Sequence, residues 1–325
     1  MKVQKYTNMS GVPLPLAVFL ATDNYDHQPK GISVTGLIKP IRQIVLSKRV
    51  PPEDNVLDVI SLVKSRMGQA IHDAIERAWL GDYKKILMAL GHPQHVVDLV
   101  VVNPDPSTVT PDQIPVYLEQ RSFRELMGVL ISGKFDFVAE GRVEDFKSTS
   151  VYTYIHGRKD DDYQLQGSLY RWLNPKLITS DFMAINYIFT DWMPGLAGKD
   201  NYPSAPIARQ MIPLLSLDET EHFVAQKIRQ IAQFKDAPED TIPECNDQEL
   251  WRKAPVYKYY RNPASTGRST KNFDNAADAY KRLAEDGGVG KVVEVSGEVV
   301  ACKYCPAFPV CTQKDRLIAD GSLIL

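Results

Sequence analysis

The chain has 325 residues, 44% hydrophobic and 24% charged, with a formal charge of −2. That is enough apolar material for one large domain or for a core with a smaller module. The charge argues against a protein that coats nucleic acid by bulk electrostatics, although a local basic groove is compatible with it. There is no run of about 18 apolar residues and no basic start followed by an apolar core, so neither a membrane span nor a signal peptide is expected. The expected location is the cytoplasm.

Residues 1–30 are Pro-rich and polar and define no element. Residues 31–46, GISVTGLIKPIRQIVL, predict a short strand, a turn through Lys39-Pro40 and a helix starting at or just after the proline. A long helix is expected over 55–80, where Val56, Val59, Ile60, Val63, Met67, Ala70, Ile71, Ala74, Ile75 and Ala78 recur at helical spacing. His72 lies beside that stripe, a position that suits a histidine at the edge of the core. His92 and His95 read as surface residues. Residues 100–115 carry Pro, Ser, Thr and Asp and read as a loop; strands are expected at 116–119 and 127–132, either side of the basic pair Arg121 and Arg124.

Two short strands follow within GKFDFVAEGRVEDFK, residues 133–147, joined by a turn at Ala139-Glu140-Gly141-Arg142. Alternate side chains of a strand face opposite ways, so Val143, Asp145 and Lys147 share one face while Glu144 and Phe146 take the other. The hairpin therefore aims Asp136, Asp145 and Lys147 at one spot. Carboxylates are what a hard divalent cation binds, and a nearby ammonium steadies a water or a developing negative charge, the minimum needed to cut a phosphodiester. On these residues alone, a charged surface hairpin without chemistry is the competing reading.

Residues 148–162 read as a polar loop closing in the acidic run Asp160–Asp162, a solvated helix entry. The helix over 163–173 sets Gln166 and Tyr170 on one face, an amide and a phenol suited to a sugar-phosphate strand. Strands at 181–192 and 205–215 follow, then a helix over 218–234 opened by Asp218. A Pro/Asp/Glu linker over 238–247 suggests two domains, 1–237 and 238–325. The second is expected to hold a strand at 257–261, a helix at 275–285 and a strand at 291–295. Its Arg252, Lys253, Lys258, Arg261, Arg268 and Lys271 are interleaved with Trp251, Tyr257, Tyr259 and Tyr260, and no acid lies between 252 and 273. That pattern is either a single-strand contact surface or a plain basic surface. The chain closes on Cys302-x2-Cys305-Pro306-x4-Cys311, with Cys245 as the remaining sulfur. Clustered cysteines of this kind fit a 4Fe–4S cluster better than zinc, which usually draws on two C-x2-C pairs; buried free thiols are the third reading.

Taken in order, Gly68-x3-His72, Gly133-x2-Asp136, Asp145-x-Lys147 and Gln166-x3-Tyr170, followed by the cysteines, resemble the RecB-type nucleases of the PD-(D/E)XK superfamily. The C-terminal C-x2-C-x5-C is similar to that of the iron–sulfur members: the CRISPR-associated exonucleases, the AddB nuclease domain and related phage-encoded nucleases. The resemblance spans residues 32–313. It implies an α/β restriction-endonuclease-like core, a central mixed sheet flanked by helices, with a small α+β iron–sulfur module at the C-terminus. It further implies that His72, Asp136, Asp145 and the main-chain carbonyl of Phe146 bind Mg2+ or Mn2+. Lys147 would orient the attacking water or neutralise phosphate charge, and Gln166 and Tyr170 would position the DNA strand.

From the basic residues, Arg121, Lys258 and Arg261 are added as candidate DNA contacts. Cys245, Cys302, Cys305 and Cys311 are the expected 4Fe–4S ligands, with zinc as the weaker alternative. One departure bears on the cluster: the CRISPR-associated members carry the first cysteine in a Cys-Pro-Arg-like turn near the N-terminus, where this chain has Ile38-Lys39-Pro40-Ile41-Arg42. Either Cys245 replaces it from a different direction or the site is a three-cysteine or zinc variant; Cys245 is favoured because it opens the module that the other three close. The expected activity is a metal-dependent DNA exonuclease acting on single strands or DNA ends in recombination, repair, replication or DNA degradation, in the host cytoplasm if phage-encoded. A catalytically idle DNA-binding adaptor and a structure-specific endonuclease are the alternatives. No G-x4-GK[ST] phosphate loop occurs, so any helicase or annealing partner is a separate chain.

Overall fold

In a computed structural model, which describes residues 5–23, 31–54, 56–156 and 159–325, the chain forms a mixed α/β protein of two units. The first comprises Met1–Lys39 with Val56–Arg229, and the second Pro40–Asn55 with Gln230–Leu325. A single cut at 237/238 cannot express this division, because residues 40–55 join the C-terminal part of the chain from far away in sequence.

The first unit opens with β1 (Lys5–Thr7), α1 (Leu14–Ala21), β2 (Ile32–Ser33) and α2 (Val34–Leu37), the last capped by Ser33, whose hydroxyl accepts from the Gly36 N–H. Helix α3 (Ile41–Leu46), which starts directly after Pro40, belongs to the second unit. The long helix starts later than its apolar pattern suggests. Val56–Asp58 is strand β3, parallel to β1, and α4 runs from Val63 to Leu80. Asp58 makes the break: its carboxylate accepts from the N–H groups of Met9 and Ile60 and from the Thr7 hydroxyl, tying the chain to β1 first. Asn55, the expected helix start, and residues 157–158 of the expected polar loop lie outside the described residues.

After α5 (Tyr83–Ala89) and α6 (Gln94–Leu99), with His92 and His95 exposed, the expected loop begins as strand β4 (Val100–Val102), parallel to β5 (Ile114–Leu118). Strands β6 (Arg121–Leu126) and β7 (Val129–Lys134) form a hairpin that β2 extends to three strands. Strands β8 (Phe137–Ala139) and β9 (Arg142–Thr149) form the second hairpin. Its register leaves Glu140 (φ 51°) and Gly141 (φ 73°) as a two-residue turn, with both central residues at the positive φ that a type I′ turn requires.

Helix α7 (Val151–His156) occupies part of the expected polar loop, and α8 (Asp160–Leu173) starts with the acidic run in its first turn. Strand β10 (Phe182–Phe189) then lies parallel to β9 and antiparallel to β11 (Ile207–Pro213), completing a six-stranded mixed sheet of order β11-β10-β9-β8-β5-β4. On one face Trp79 of α4 meets Phe137 edge-on at 5.1 Å and Phe137 meets Phe146 at 6.2 Å. Helix α8 sets Gly167 against Met183 and Tyr163 against Tyr187 of β10 and buries Leu169, Tyr170 and Trp172. Helix α9 (Leu217–Phe234) is capped by Ser216 and not by Asp218. The Ser216 hydroxyl accepts from the Glu219 N–H (3.2 Å) and the Glu219 carboxylate accepts from the Ser216 N–H (2.8 Å), a capping box.

In the second unit, strands β12 (Val256–Tyr260), β13 (Lys271–Phe273) and β14 (Lys291–Val295) form an antiparallel sheet of order β13-β12-β14. Helix α10 (Ala276–Glu285) lies between β13 and β14 in sequence, and α11 (Thr312–Ala319) follows. Among the described residues two small cores lie within the unit: Ile41, Ile44, Val45 and Leu46 of α3 with Ile242 and Ala307, and Leu250, Val299, Leu317 and Leu323. Among the described residues no helix is long and apolar enough to cross a membrane.

Candidate functional site

The registers around β8 gather charged groups at one end of the central sheet. Leu118 pairs with Phe137, so Glu119, just after β5, lies beside Asp136, just before β8, and the Glu119 N–H donates to the Asp136 carbonyl at 3.0 Å. Phe137 pairs in turn with Glu144, which brings Asp145 alongside. The alternation of β9 then does what the sequence predicts: Asp145 and Lys147 line one cavity, while Glu144 and Phe146 line a different one. The first cavity has a volume of about 400 Å³, and His72, Asp136, Asp145, Lys147, Gln166 and Tyr170 all line it.

His72 comes from α4. Its Nε2 lies 2.9 Å from the main-chain oxygen of Phe146 and its Nδ1 3.3 Å from Asp136 Oδ2. Burial alone would depress the imidazole, but the hydrogen bond and charge of Asp136, with the Phe146 carbonyl and the charge of Asp145, raise it to about 9. Asp145 is 1% exposed, and Lys147 Nζ stands 2.6 Å from its Oδ2. Burial lifts this carboxyl, Lys147 opposes the rise and Asp136 adds to it, leaving it near 6. For Lys147 burial works against the charge, yet Asp145 and Asp136 outweigh it and hold the ammonium above its ordinary value. Gln166 donates to Asp145 Oδ1 (3.2 Å) and to the Tyr170 hydroxyl (3.1 Å). As placed, this pair braces Asp145.

Glu119 also lines the cavity, and no sequence motif marks it. It carries φ 50° and forms an ion pair with Lys134. Burial raises its carboxyl, against Lys134 and with the charges of Asp136 and Glu76. One donor atom each from His72, Glu119 and Asp136 lie within 4.8 Å of one another. Its position just after a strand that pairs with the Asp136 strand is the signal that could have found it, but that signal needs the register.

The donor set suits a hard divalent ion. Asp136 Oδ2 and Asp145 Oδ2 are buried and face cationic partners, His72 Nδ1 at 3.3 Å and Lys147 Nζ at 2.6 Å. Carboxylate oxygens, an imidazole and a main-chain carbonyl are ligands for a divalent cation.

The remaining predicted contacts lie elsewhere. Arg121 is half-buried on β6, and Lys258 and Arg261 belong to the second unit. The basic window is not unopposed. Acids outside it pair with Arg252 (Asp247, 2.6 Å), Lys253 (Glu298, 2.5 Å) and Arg261 (Asp286, 3.2 Å).

All four cysteines belong to the second unit and none is in a disulfide. Cys245 and Cys302 pack on the Leu250 core, Cys305 and Cys311 on the Ile41 core. Burial, reinforced by Glu249 and by the other three sulfurs, pushes Cys245 up to about 12; burial with Cys305 and Cys311 pushes Cys302 up to about 11. Gln313 grips the Cys245 main chain from both sides, accepting from its N–H (2.9 Å) and donating to its carbonyl (2.8 Å). Arg42, 2% exposed on α3, donates from Nε to Cys311 Sγ at 3.2 Å. The turn that lacks a cysteine thus sets a guanidinium against a sulfur. Four gathered thiols with a donor on one of them fit a thiolate-bound group.

No protein-family model matches the chain, and no curated protein matches it. The solved structure of SSO0001 is similar over 70% of this chain and 88% of its own, at 15% identity and a TM-score of 0.38. A phage-related exonuclease from Haemophilus somnus 129PT is similar over 36% of this chain and 58% of its own, at 14% identity and a TM-score of 0.25. This chain therefore spans a little over half the length of that exonuclease. Likenesses at this level fix neither the fold family nor the activity, which leaves the geometry of the site to speak for the function.

Proposed function

We propose that the chain is a Mg2+- or Mn2+-dependent deoxyribonuclease on a RecB-type PD-(D/E)XK core, acting as an exonuclease on single-stranded DNA or DNA ends. The observation that carries this reading is the cavity at β8 and β9, where His72, Asp136, Asp145 and Lys147 converge and the Asp136 and Asp145 carboxylates, each with a buried oxygen, stand together. His72, Asp136, Asp145 and the Phe146 carbonyl would hold the cation, which when bound polarises a phosphoryl oxygen and lowers the pKa of a water. Lys147, pinned 2.6 Å from Asp145, is placed to neutralise charge that develops on the phosphate. Gln166 holds the orientation of Asp145 through its 3.2 Å hydrogen bond, and Tyr170 holds Gln166.

In the second unit, Cys245, Cys302, Cys305 and Cys311 would carry a 4Fe–4S cluster. Three close cysteines with one C-x2-C pair and a single distant cysteine support the cluster over zinc, which usually draws on two C-x2-C pairs. Arg121, Lys258 and Arg261 are proposed phosphate contacts, and a helicase or annealing protein would be a separate chain.

The test is a digestion of end-labelled linear single-stranded DNA by anaerobically purified protein, with Mg2+ or Mn2+, with EDTA, and with Asp145→Asn. Cleavage that needs the cation and Asp145 supports the proposal, and a circular strand left intact assigns it to ends. Binding without cleavage would point instead to an idle DNA-binding protein.

A further inference from the structure

We propose that Glu119 is a ligand of the divalent cation, with Lys134 as its counter-charge in the cation-free protein. The inference rests on the metal-dependent reading above and adds to it a residue that none of the motifs contains.

The donor atoms of His72, Glu119 and Asp136 lie within 4.8 Å of one another, and Asp145 is not a member of that group. Opposite ligands on an ion with about 2.1 Å bonds stand about 4.2 Å apart, so one ion can reach all three donors after small side-chain adjustments. Asp145 is otherwise engaged: Lys147 meets one of its oxygens at 2.6 Å and Gln166 the other at 3.2 Å. It is nonetheless 1% exposed and lines the same cavity, so a cation there would meet a third carboxylate.

The backbone is arranged for this. A non-glycine residue at φ 50° is uncommon, and here the Glu119 N–H is fixed on the Asp136 carbonyl at 3.0 Å, holding the two carboxylates at one end of the β5–β8 pair. The side chains of Glu119 and Asp136 are 14% and 15% exposed. Lys134 pairs with Glu119 and lines the cavity. A flexible four-carbon stem lets an ammonium withdraw when a divalent ion arrives. The competing role is purely structural, an ion pair that closes the end of β5.

The experiment is Mn2+ titration of the metal-free protein without DNA, read by the EPR signal of free Mn2+ and by calorimetry. Glu119→Gln alone would leave Lys134 to repel the cation, so the decisive variant is Glu119→Gln with Lys134→Met, which keeps the net charge. The double variant is expected to bind Mn2+ about tenfold or more weakly than the wild type. Lys134→Met alone is expected to bind at least as tightly as the wild type. Circular dichroism and thermal melting confirm that both variants fold. A double variant with wild-type affinity, or a Lys134→Met variant as weak as the double, overturns the inference while a wild type that binds Mn2+ and cuts DNA keeps the nuclease reading. A wild type that neither binds Mn2+ nor cuts overturns both.

Discussion

Asp145 and Lys147 make the sharpest case for what single residues do here. The carboxylate is 1% exposed and the ammonium side chain 26% exposed, so their ion pair is one-sided: removing the lysine strands a buried charge. Lys147→Met should destabilise the metal-free protein by roughly 3 kcal/mol in urea unfolding. Adding Asp145→Asn to it should recover most of that loss while restoring no cleavage. A double variant as unstable as the single would show that Gln166, and not Lys147, is what satisfies Asp145. The His72–Asp136 pair gives a pH dependence. His72 in the folded, metal-free protein sits near 9 against an ordinary 6.5, because burial is outweighed by Asp136 together with the Phe146 carbonyl and Asp145. A raised folded value means stability that is fully present below pH 6.5 and is lost as pH rises through about 9. Asp136→Asn should flatten that loss and bring the His72 titration, followed by NMR on EDTA-treated protein, down towards its ordinary value. An unchanged His72 titration in Asp136→Asn would assign the shift to Asp145 instead.

At the scale of elements, the two hairpins offer a controlled comparison. Gly128 and Gly141 both sit at positive φ, 76° and 73°, in two-residue turns. A Cβ at Gly128 would meet open space, whereas one at Gly141 would stand 2.2 Å from Thr179 Oγ1. Gly128→Ala should therefore cost about 1 kcal/mol, from backbone strain alone, and Gly141→Ala about 2 kcal/mol or more. Equal losses in thermal unfolding would mean that Thr179 simply rotates away. The Gly141 turn also shows what could be read without coordinates. A Glu-Gly pair between alternating strands announces the β8–β9 hairpin, and strand alternation alone puts Asp145 and Lys147 on one face. The i, i+4 spacing of Gln166 and Tyr170 was legible for the same kind of local reason. What stayed hidden is short or non-local. Strands β3, β4 and β13 have three residues each, too few for any period to emerge. Glu119 joins the site through a register between strands nearly a hairpin apart, and Arg42 meets Cys311 through tertiary packing. The pairing of Arg252, Lys253 and Arg261 with acids outside their own window was invisible for that reason too.

For the whole molecule, the second unit poses the physical question, because it assembles residues 40–55 with residues 230–325 around two small cores. Cys245 and Cys302 pack on one core, Cys305 and Cys311 on the other, so a group bound to all four sulfurs would tie the two together. It would also close the loop between Cys245 and Cys311, removing freedom from the unfolded chain. Without such a group, burial leaves Cys245 and Cys302 as neutral thiols, pushed up to about 12 and 11, and they contribute packing alone. Stripping iron from the proposed cluster should therefore loosen the second unit selectively. Hydrogen exchange followed by mass spectrometry should show residues 40–55 losing protection together with residues 230–325, while the strands of the six-stranded sheet keep theirs. The segment 40–55 is the discriminating readout, since its sequence neighbours belong to the first unit. If it instead kept pace with those neighbours, α3 would be held by chain connectivity, and the Arg42–Cys311 contact would be too weak to couple it to the cysteines. If it opens with the C-terminal residues, the cluster is what makes one folding unit out of two distant stretches of chain.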